Sequence, residues 1–474
     1  MDVFPQLAVD RTLAEPLAEQ LTARIRAAIL AGDMAPGEAL PPSRALATGI
    51  GVSRTVVVAA YERLVGEGFL ESRQGAGTRV VPELPVGAAP ALHAPAAAPA
   101  AVAPGAPEQR PIDLRPGRPF VSELPPRDWV RAATAAARAP WESDAPDPRG
   151  IPQLRAALAA HTRRSRGIVC AEGDITVASG TSEALLLLAL ALRELHGRAP
   201  RIAVEDPGYK EGIRALARAG TEIVRLPVGP DGATAAALRA LAGSGPLDAA
   251  LLTPSHQFPL GGRIPAAERL GILEWAGETG ALIIEDDYDS EFRHGGALLP
   301  AMGSLAAGVA TITTLNKVLS PSVRCAAIVL AGGTAELAAE LRAARDDLGA
   351  ALPLLEQRTI AAFLESGGFR RELARTRREY GHRRQLLLDR LAARGIPVRG
   401  ADGGLHVVLS LDGRDGAATV AALAARGVLV DHVGDYRGGS AESVSGSDGL
   451  IVGYGAEPST RLARGLDVIA ELLG

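Results

Sequence analysis

The sequence predicts a small helical head ending in a β-hairpin wing, joined to a large α/β body. The body is expected to carry a doubly wound, mainly parallel sheet with a smaller α+β part behind it. Three observations predict this. Residues 1–81 hold three helical patterns and then two short strands around a glycine turn. Residues 82–111 are dominated by alanine and proline. From residue 112 onward, short apolar runs alternate with alanine-rich helical patterns, the signature of strand–helix–strand units.

At 474 residues the chain is too long for one core. Apolar residues make up 47% and charged residues 22%, an ordinary globular balance. No apolar run is long enough to span a bilayer, and the opening MDVFPQLAVD lacks the basic-then-apolar layout of a signal peptide. The two cysteines, Cys170 and Cys325, cannot build a disulfide framework or a cysteine zinc site, which fits a reducing cytoplasm. The net charge of -4 means that any nucleic-acid contact must come from a local basic face.

In the head, PLAEQLTARIRAAILAG reads as the first helix. Pro16 suits a first turn, Leu17, Leu21, Ile25 and Ile29 share a face, and Gly32 is placed to stop it. SRALATGIG follows, with Ser43 expected as its cap. SRTVVVAAYERLVGEG is the third; its valine triplet is poor helix material, but Ser53 as N-cap and the spacing of Val57, Ala60 and Leu64 favour helix. FLESR and TRVV are strands around Gln74-Gly75-Ala76-Gly77, where glycine permits a tight wing turn. Arg44, Arg54 and Thr55 start helices, and Arg73 and Arg79 flank the wing, so one basic face can form.

The segment "LPPSRALATGIGVSRTVVVAAYERLVGEGFLESRQGAGTRV" closely resembles the GntR-type winged helix-turn-helix. The resemblance implies a double-stranded DNA operator as partner. Arg44, Arg54 and Thr55 would then contact its phosphates and bases, and Gly75 and Gly77 would let the wing approach the minor groove, with Ser53 and Arg73 expected on the same DNA-binding face.

Residues 82–111 cannot bury enough surface to offset their ordering entropy, so they read as a semi-stiff linker. In the body (112–474), strands are expected at 175–178, 201–204, 222–226, 249–252, 282–284, 309–313 and 326–330, with a large part near 150–345 and a small part near 346–474. Five polar motifs follow expected strands: SGTSE from Ser179, EDPGY from Glu205, TPSHQFP from Thr253, EDDYDSE from Glu285, and NK at Asn316. In a parallel sheet these strand ends converge on one crevice, where ligands bind.

Each motif fits a role toward pyridoxal phosphate (PLP). Gly180, Thr181 and Ser182 open a helix whose free N–H groups and hydroxyls suit a phosphate. Tyr209 offers a flat ring, Asp286 can pair with a protonated ring nitrogen, Tyr288 can donate to the ring 3′-oxygen, and the fork of Arg324 can hold phosphate. Lys317 supplies an amine for a Schiff base. The chain has lysine only at Lys210 and Lys317, arginine serving everywhere else, so a lysine kept in TITTLNKVLSPSVR is better read as chemical than decorative.

Head and body together resemble the MocR-type regulators, a GntR subfamily with a fold-type I aminotransferase effector domain. HQFP, IEDDYDSEF and the lysine segment carry the likeness. It implies that Lys317 forms the Schiff base, that Asp286, Tyr288 and Tyr209 hold the ring, and that Thr314 and Arg324 belong to the phosphate cup. His256 and Gln257 stand near the position where aminotransferases place an asparagine. It also implies a homodimer and a cytoplasmic transcription regulator whose Lys317 site senses a small effector. An active aminotransferase is the alternative. Glu211, Ile451, Asn316 and Ala145 depart from the pattern. With Ile451 and Glu211 where relatives often carry arginine, the pocket lacks two obvious anchors for a free carboxylate, so ordinary amino acids are expected to bind poorly and the effector is expected to be PLP itself or an amine.

Overall fold

The computed structural model describes residues 7–73, 77–84, 110–121, 125–294, 300–438 and 449–474. The chain divides into two compact units, Met1–Pro104 and Gly105–Gly474, each described by itself. Most of the expected linker lies outside the described residues.

In the first unit, α1 (Leu17–Ala31) buries Leu21, Ile25 and Ile29 and ends at Gly32, whose φ of 84° is the left-handed stop the sequence suggests. α2 spans Ser43–Gly49 and α3 Arg54–Gly66. Ser53 caps α3 by accepting the Val56 amide at 3.4 Å. Val57 packs into the core at 0% exposure, so tertiary burial overrides the low helix propensity of the valines. α2 starts differently from expectation. Pro42 is its N-cap and Ser43 its first residue, and the Ser43 hydroxyl accepts the Arg54 Nε–H at 3.3 Å instead of capping. β1 (Leu70–Arg73) pairs antiparallel with β2 (Gly77–Val80), with Leu70 opposite Val80. Gly75 lies outside the described residues.

The second unit opens with β3 (Ile112–Asp113), α4 (Arg127–Ala137) and α5 (Pro152–Arg166). The sheet region then runs β4 (Ile175–Ala178), α6 (Thr181–His196), β5 (Arg201–Asp206), α7 (Lys210–Arg218), β6 (Glu222–Pro227), α8 (Ala235–Ala242), β7 (Ala249–Leu252), α9 (Ala266–Thr279), β8 (Leu282–Asp287), α10 (Met302–Leu305), β9 (Val309–Thr314) and β10 (Ala326–Ala331). The remainder is α11 (Ala335–Leu348), α12 (Leu354–Glu365), α13 (Gly368–Ala392), β11 (Val398–Arg399), β12 (His406–Leu409), α14 (Gly416–Ala425), β13 (Val428–Leu429), β14 (Asp431–His432), β15 (Leu450–Gly453) and α15 (Ser459–Leu473).

Seven strands form one sheet in the order β4-β10-β9-β8-β7-β5-β6. β10 alone runs antiparallel to both its neighbours. The link from β9 to β10, residues 315–325, holds no crossover helix, so the chain turns back beside itself. Both sheet faces are apolar and alternate along each strand. Ile202 and Val204 belong to one apolar cluster with Leu185 and Leu188 of α6 and Leu337 of α11. Ala203 belongs to a second apolar cluster with Leu238 of α8 and Trp275 of α9. Apolar residues on both faces require helices on both sides, which is why the expected strands read as continuous apolar runs.

The small part has a four-stranded antiparallel sheet, β11-β12-β15-β14. β3 joins this region by pairing parallel with β13, Val428 opposite Ile112. The start of the body is thereby tied to the C-terminal third, a pairing that local pattern does not reveal.

Candidate functional site

The ends of β4, β5, β8 and β9 contribute to one cavity of about 460 Å³. Gly180, Thr181, Ser182, Tyr209, Asp286, Tyr288, Thr314, Lys317 and Arg324 all line it. Lys317 follows β9, and its Nζ donates to the Gly117 carbonyl oxygen at 2.6 Å. Burial pushes the lysine below its ordinary value, against the opposing pull of Asp289 and Asp286. A less protonated amine is the better nucleophile.

The acidic run of β8 divides by strand alternation. Asp287 and Glu285 meet Arg166 of α5, at 2.6 Å and 3.7 Å. Asp286, between them, lines the cavity, and its Oδ1 is buried with no hydrogen-bond partner. Burial, then the charge of Asp287, pushes its carboxyl up to about 8, with Lys317 pulling the other way. Tyr288 is pushed well above the usual tyrosine value by burial and then by Asp289, so its hydroxyl keeps its proton. At the start of α6, a Cβ on Gly180 would lie 2.9 Å from an Arg324 nitrogen; glycine lets the guanidinium rest beside Thr181 and Ser182.

His256 and Gln257 are not among the lining residues. His256 Nδ1 lies 2.9 Å from both the Tyr288 hydroxyl and Asp289 Oδ2, so it stands behind Tyr288. The Gln257 Nε2 donates to the carbonyls of Pro207 (2.9 Å) and Phe258 (2.8 Å) and to Glu205 (3.2 Å). Its Oε1 accepts the Leu260 amide at 2.9 Å. Its hydrogen bonds are thus spent on holding the loop, and Phe258, next in the same motif, supplies the cavity wall.

In the first unit, Arg44, Ser53, Arg54, Thr55 and Gly77 are exposed. Arg54 is the first residue of α3 and reaches back to Ser43 of α2, so the two helix starts present one polar surface. Arg73 ends β1.

The model of bacterial regulatory proteins of the gntR family matches residues 17–80, and that of aminotransferase class I and II matches residues 112–438. The HTH-type pyridoxine biosynthesis transcriptional regulator PdxR of Corynebacterium glutamicum is 36% identical over 94% of this chain and 93% of its own length. The probable rhizopine catabolism regulatory protein MocR of Rhizobium meliloti is 35% identical over 85% of this chain and 83% of its own. This chain belongs to the MocR-type regulators. GntR-family regulators bind DNA operators, and the body of this regulator has the fold-type I aminotransferase architecture. An archaeal alanine:glyoxylate aminotransferase shares that fold with a TM-score of 0.69 at 23% identity, covering 77% of this chain and 91% of that one. Among the described residues, no helix of this MocR-type regulator is long and apolar enough to cross a membrane.

The cavity of this MocR-type regulator also has walls that the sequence reading did not name: Arg115, Pro116, Gly117, Arg118, Phe258, Asp431 and Tyr436. Arg115 and Arg118 add two cations to the wall, at positions other than the two missing anchors, Ile451 and Glu211. Ile451, at the expected anchor position, is fully buried in the core with Val408. Glu211 and Asn316 line the cavity, and Ala145 is exposed and not among its residues. Lys210 lies over the Tyr436 ring, 4.3 Å from its centroid. Phe258 is legible in the sequence, since it follows Gln257 directly in the HQFP motif. The Arg115–Arg118 turn offered none, because its neighbours lie far along the chain.

Proposed function

We propose that this MocR-type regulator binds PLP at Lys317 and reports that occupancy to a DNA operator, making it a sensor of vitamin B6. The observation that carries the reading is the pair formed by the Lys317 amine, held at the Gly117 carbonyl, and the unpartnered buried Oδ1 of Asp286 in one cavity. A buried acceptor without a donor costs about 1–3 kcal/mol, so such a site favours a ligand that brings one. PLP supplies an aldehyde for the amine, a ring nitrogen for the carboxyl and a phosphate for the helix start.

Thr181, Ser182 and Arg324 would hold the phosphate, with Thr314 beside them. Asp286 would accept the ring N–H, Tyr288 would donate to the ring oxygen, and Tyr209 would cover the ring. His256 would steady Tyr288 from behind. The head would grip operator phosphates and bases through Arg44, Ser53, Arg54 and Thr55, with the wing residues Arg73, Gly75 and Gly77 alongside, as a cytoplasmic homodimer on paired half-sites. The naming of the Corynebacterium glutamicum relative for pyridoxine biosynthesis supports PLP as the effector. A small amine is the second reading, favoured by the carboxylates of Glu211 and Asp431 on the cavity wall.

The test is a titration with PLP that follows the visible absorption band and operator affinity together. The purified protein is expected to turn yellow and change operator affinity in parallel, and Lys317→Ala to do neither. A protein that stays colourless in excess PLP contradicts the reading. A yellow protein whose operator affinity answers only to amines favours the second reading.

A further inference from the structure

The cations of the cavity fall into separate groups. Arg324 lies against Gly180 at the start of α6, with Thr181 and Ser182. Arg115 and Arg118 sit instead on the turn that carries Gly117, whose carbonyl accepts the Lys317 Nζ–H at 2.6 Å. The turn is held from two directions. Gly453 of β15 donates its amide to Leu114 at 2.7 Å, and a Cβ on Gly453 would lie 2.6 Å from the Arg115 carbonyl oxygen. Tyr380 of α13 accepts the Phe120 amide at 2.7 Å and donates to the Lys317 carbonyl at 3.2 Å. The end of the strand that carries Ile451 is therefore the surface on which the arginine-bearing turn rests.

The two arginines share one carboxylate. Arg115 spends Nε and a terminal nitrogen on Asp113, at 2.9 Å and 2.6 Å. Arg118 reaches the same Asp113 Oδ2 through one terminal nitrogen at 2.9 Å. That oxygen is already taken by Arg115, and the side chain of Arg118 is 52% exposed. Arg118 is thus a half-committed guanidinium on the wall of the cavity that Lys317 also lines, oriented by a neighbouring ion pair. Its fork matches a planar carboxylate. Glu211 and Asp431 on the same cavity wall oppose negative charge, so two carboxylates on one ligand are disfavoured more than one.

We infer that Arg118, steadied by Arg115 and Asp113, forms a subsite for the carboxylate of a small monocarboxylate ligand beside Lys317. The inference rests on the cavity being the PLP site and adds a second ligand to it. It places the anion anchor on the turn after β3, which rests against Gly453 at the end of β15.

The test is a calorimetric titration of the full chain with propionate, propionamide and succinate, run without PLP and again with it. Propionate is expected to bind at least about tenfold more tightly than propionamide, and succinate more weakly than propionate. Arg118→Ala is expected to erase the preference and Arg118→Lys to keep part of it. Equal affinities for propionate and propionamide overturn the subsite. So does a preference that survives in the Arg115→Ala/Arg118→Ala double variant, and tighter binding of succinate overturns the monocarboxylate assignment. The visible band reports separately on the reading beneath. A colourless protein that still prefers propionate loses the PLP reading and keeps the subsite, and a yellow protein without the preference loses only the subsite.

Discussion

The Tyr380 hydroxyl donates to the Lys317 carbonyl oxygen at 3.2 Å while accepting the Phe120 amide at 2.7 Å. One fully buried side chain from α13 therefore ties the lysine segment to the turn that receives the lysine's own amine. Tyr380→Phe keeps the ring and leaves both backbone groups without this partner. The variant is expected to lose about 1–3 kcal/mol of stability in chemical denaturation and to take up PLP more weakly. Unchanged stability and uptake would show that the bridge carries neither.

Asp286 sets a pH dependence. Its carboxyl stands at about 8 in the folded chain, from burial first and then the charge of Asp287. In the unfolded chain it returns to about 4. Between these values the folded state holds the extra proton, so this group's contribution to stability falls as pH rises from about 4 to about 8. Asp286→Asn removes the ionisation. The variant without cofactor is expected to be more stable than the parent near pH 9, with a gain that shrinks toward about pH 5, and to hold PLP more weakly. Urea denaturation across this range checks it; a variant no more stable than the parent near pH 9 contradicts the placement of Asp286.

Arg54 joins the starts of α3 and α2 through its 3.3 Å contact with Ser43. Arg54→Ala is expected to weaken operator binding by about 1–3 kcal/mol, with a shallower salt dependence where the lost partner is a phosphate. Operator binding that survives unchanged in the Arg44→Ala/Arg54→Ala double variant would remove this face from the interface.

Much of this fold is legible in the sequence because burial leaves a local imprint. The run Ala249–Leu252 is a fully buried strand, and it reads as one because both faces of the sheet are covered. The EDDYDSE motif is legible for its chemistry, but only the strand shows that Asp286 lines the cavity while its two neighbours meet Arg166. Ser43 carries the residue type of a cap, yet Pro42 takes that position and Arg54 takes its hydroxyl. Gly117 and Tyr380 act through partners far away in sequence. Lys317 and Gly117 are 200 residues apart, and Phe120 and Tyr380 are 260 apart. No periodicity or motif records such a meeting; it follows from β3 pairing with β13 and from α13 packing beside the lysine segment.

The central claim is that PLP at Lys317 and operator at the head are coupled, and coupling between two binding sites is reciprocal. The most direct measurement is the PLP affinity of the full chain, read from the visible band with and without saturating operator DNA. Operator is expected to shift PLP affinity by the same factor by which PLP shifts operator affinity, and Lys317→Ala to abolish both shifts. A PLP affinity that is identical with and without operator would contradict it.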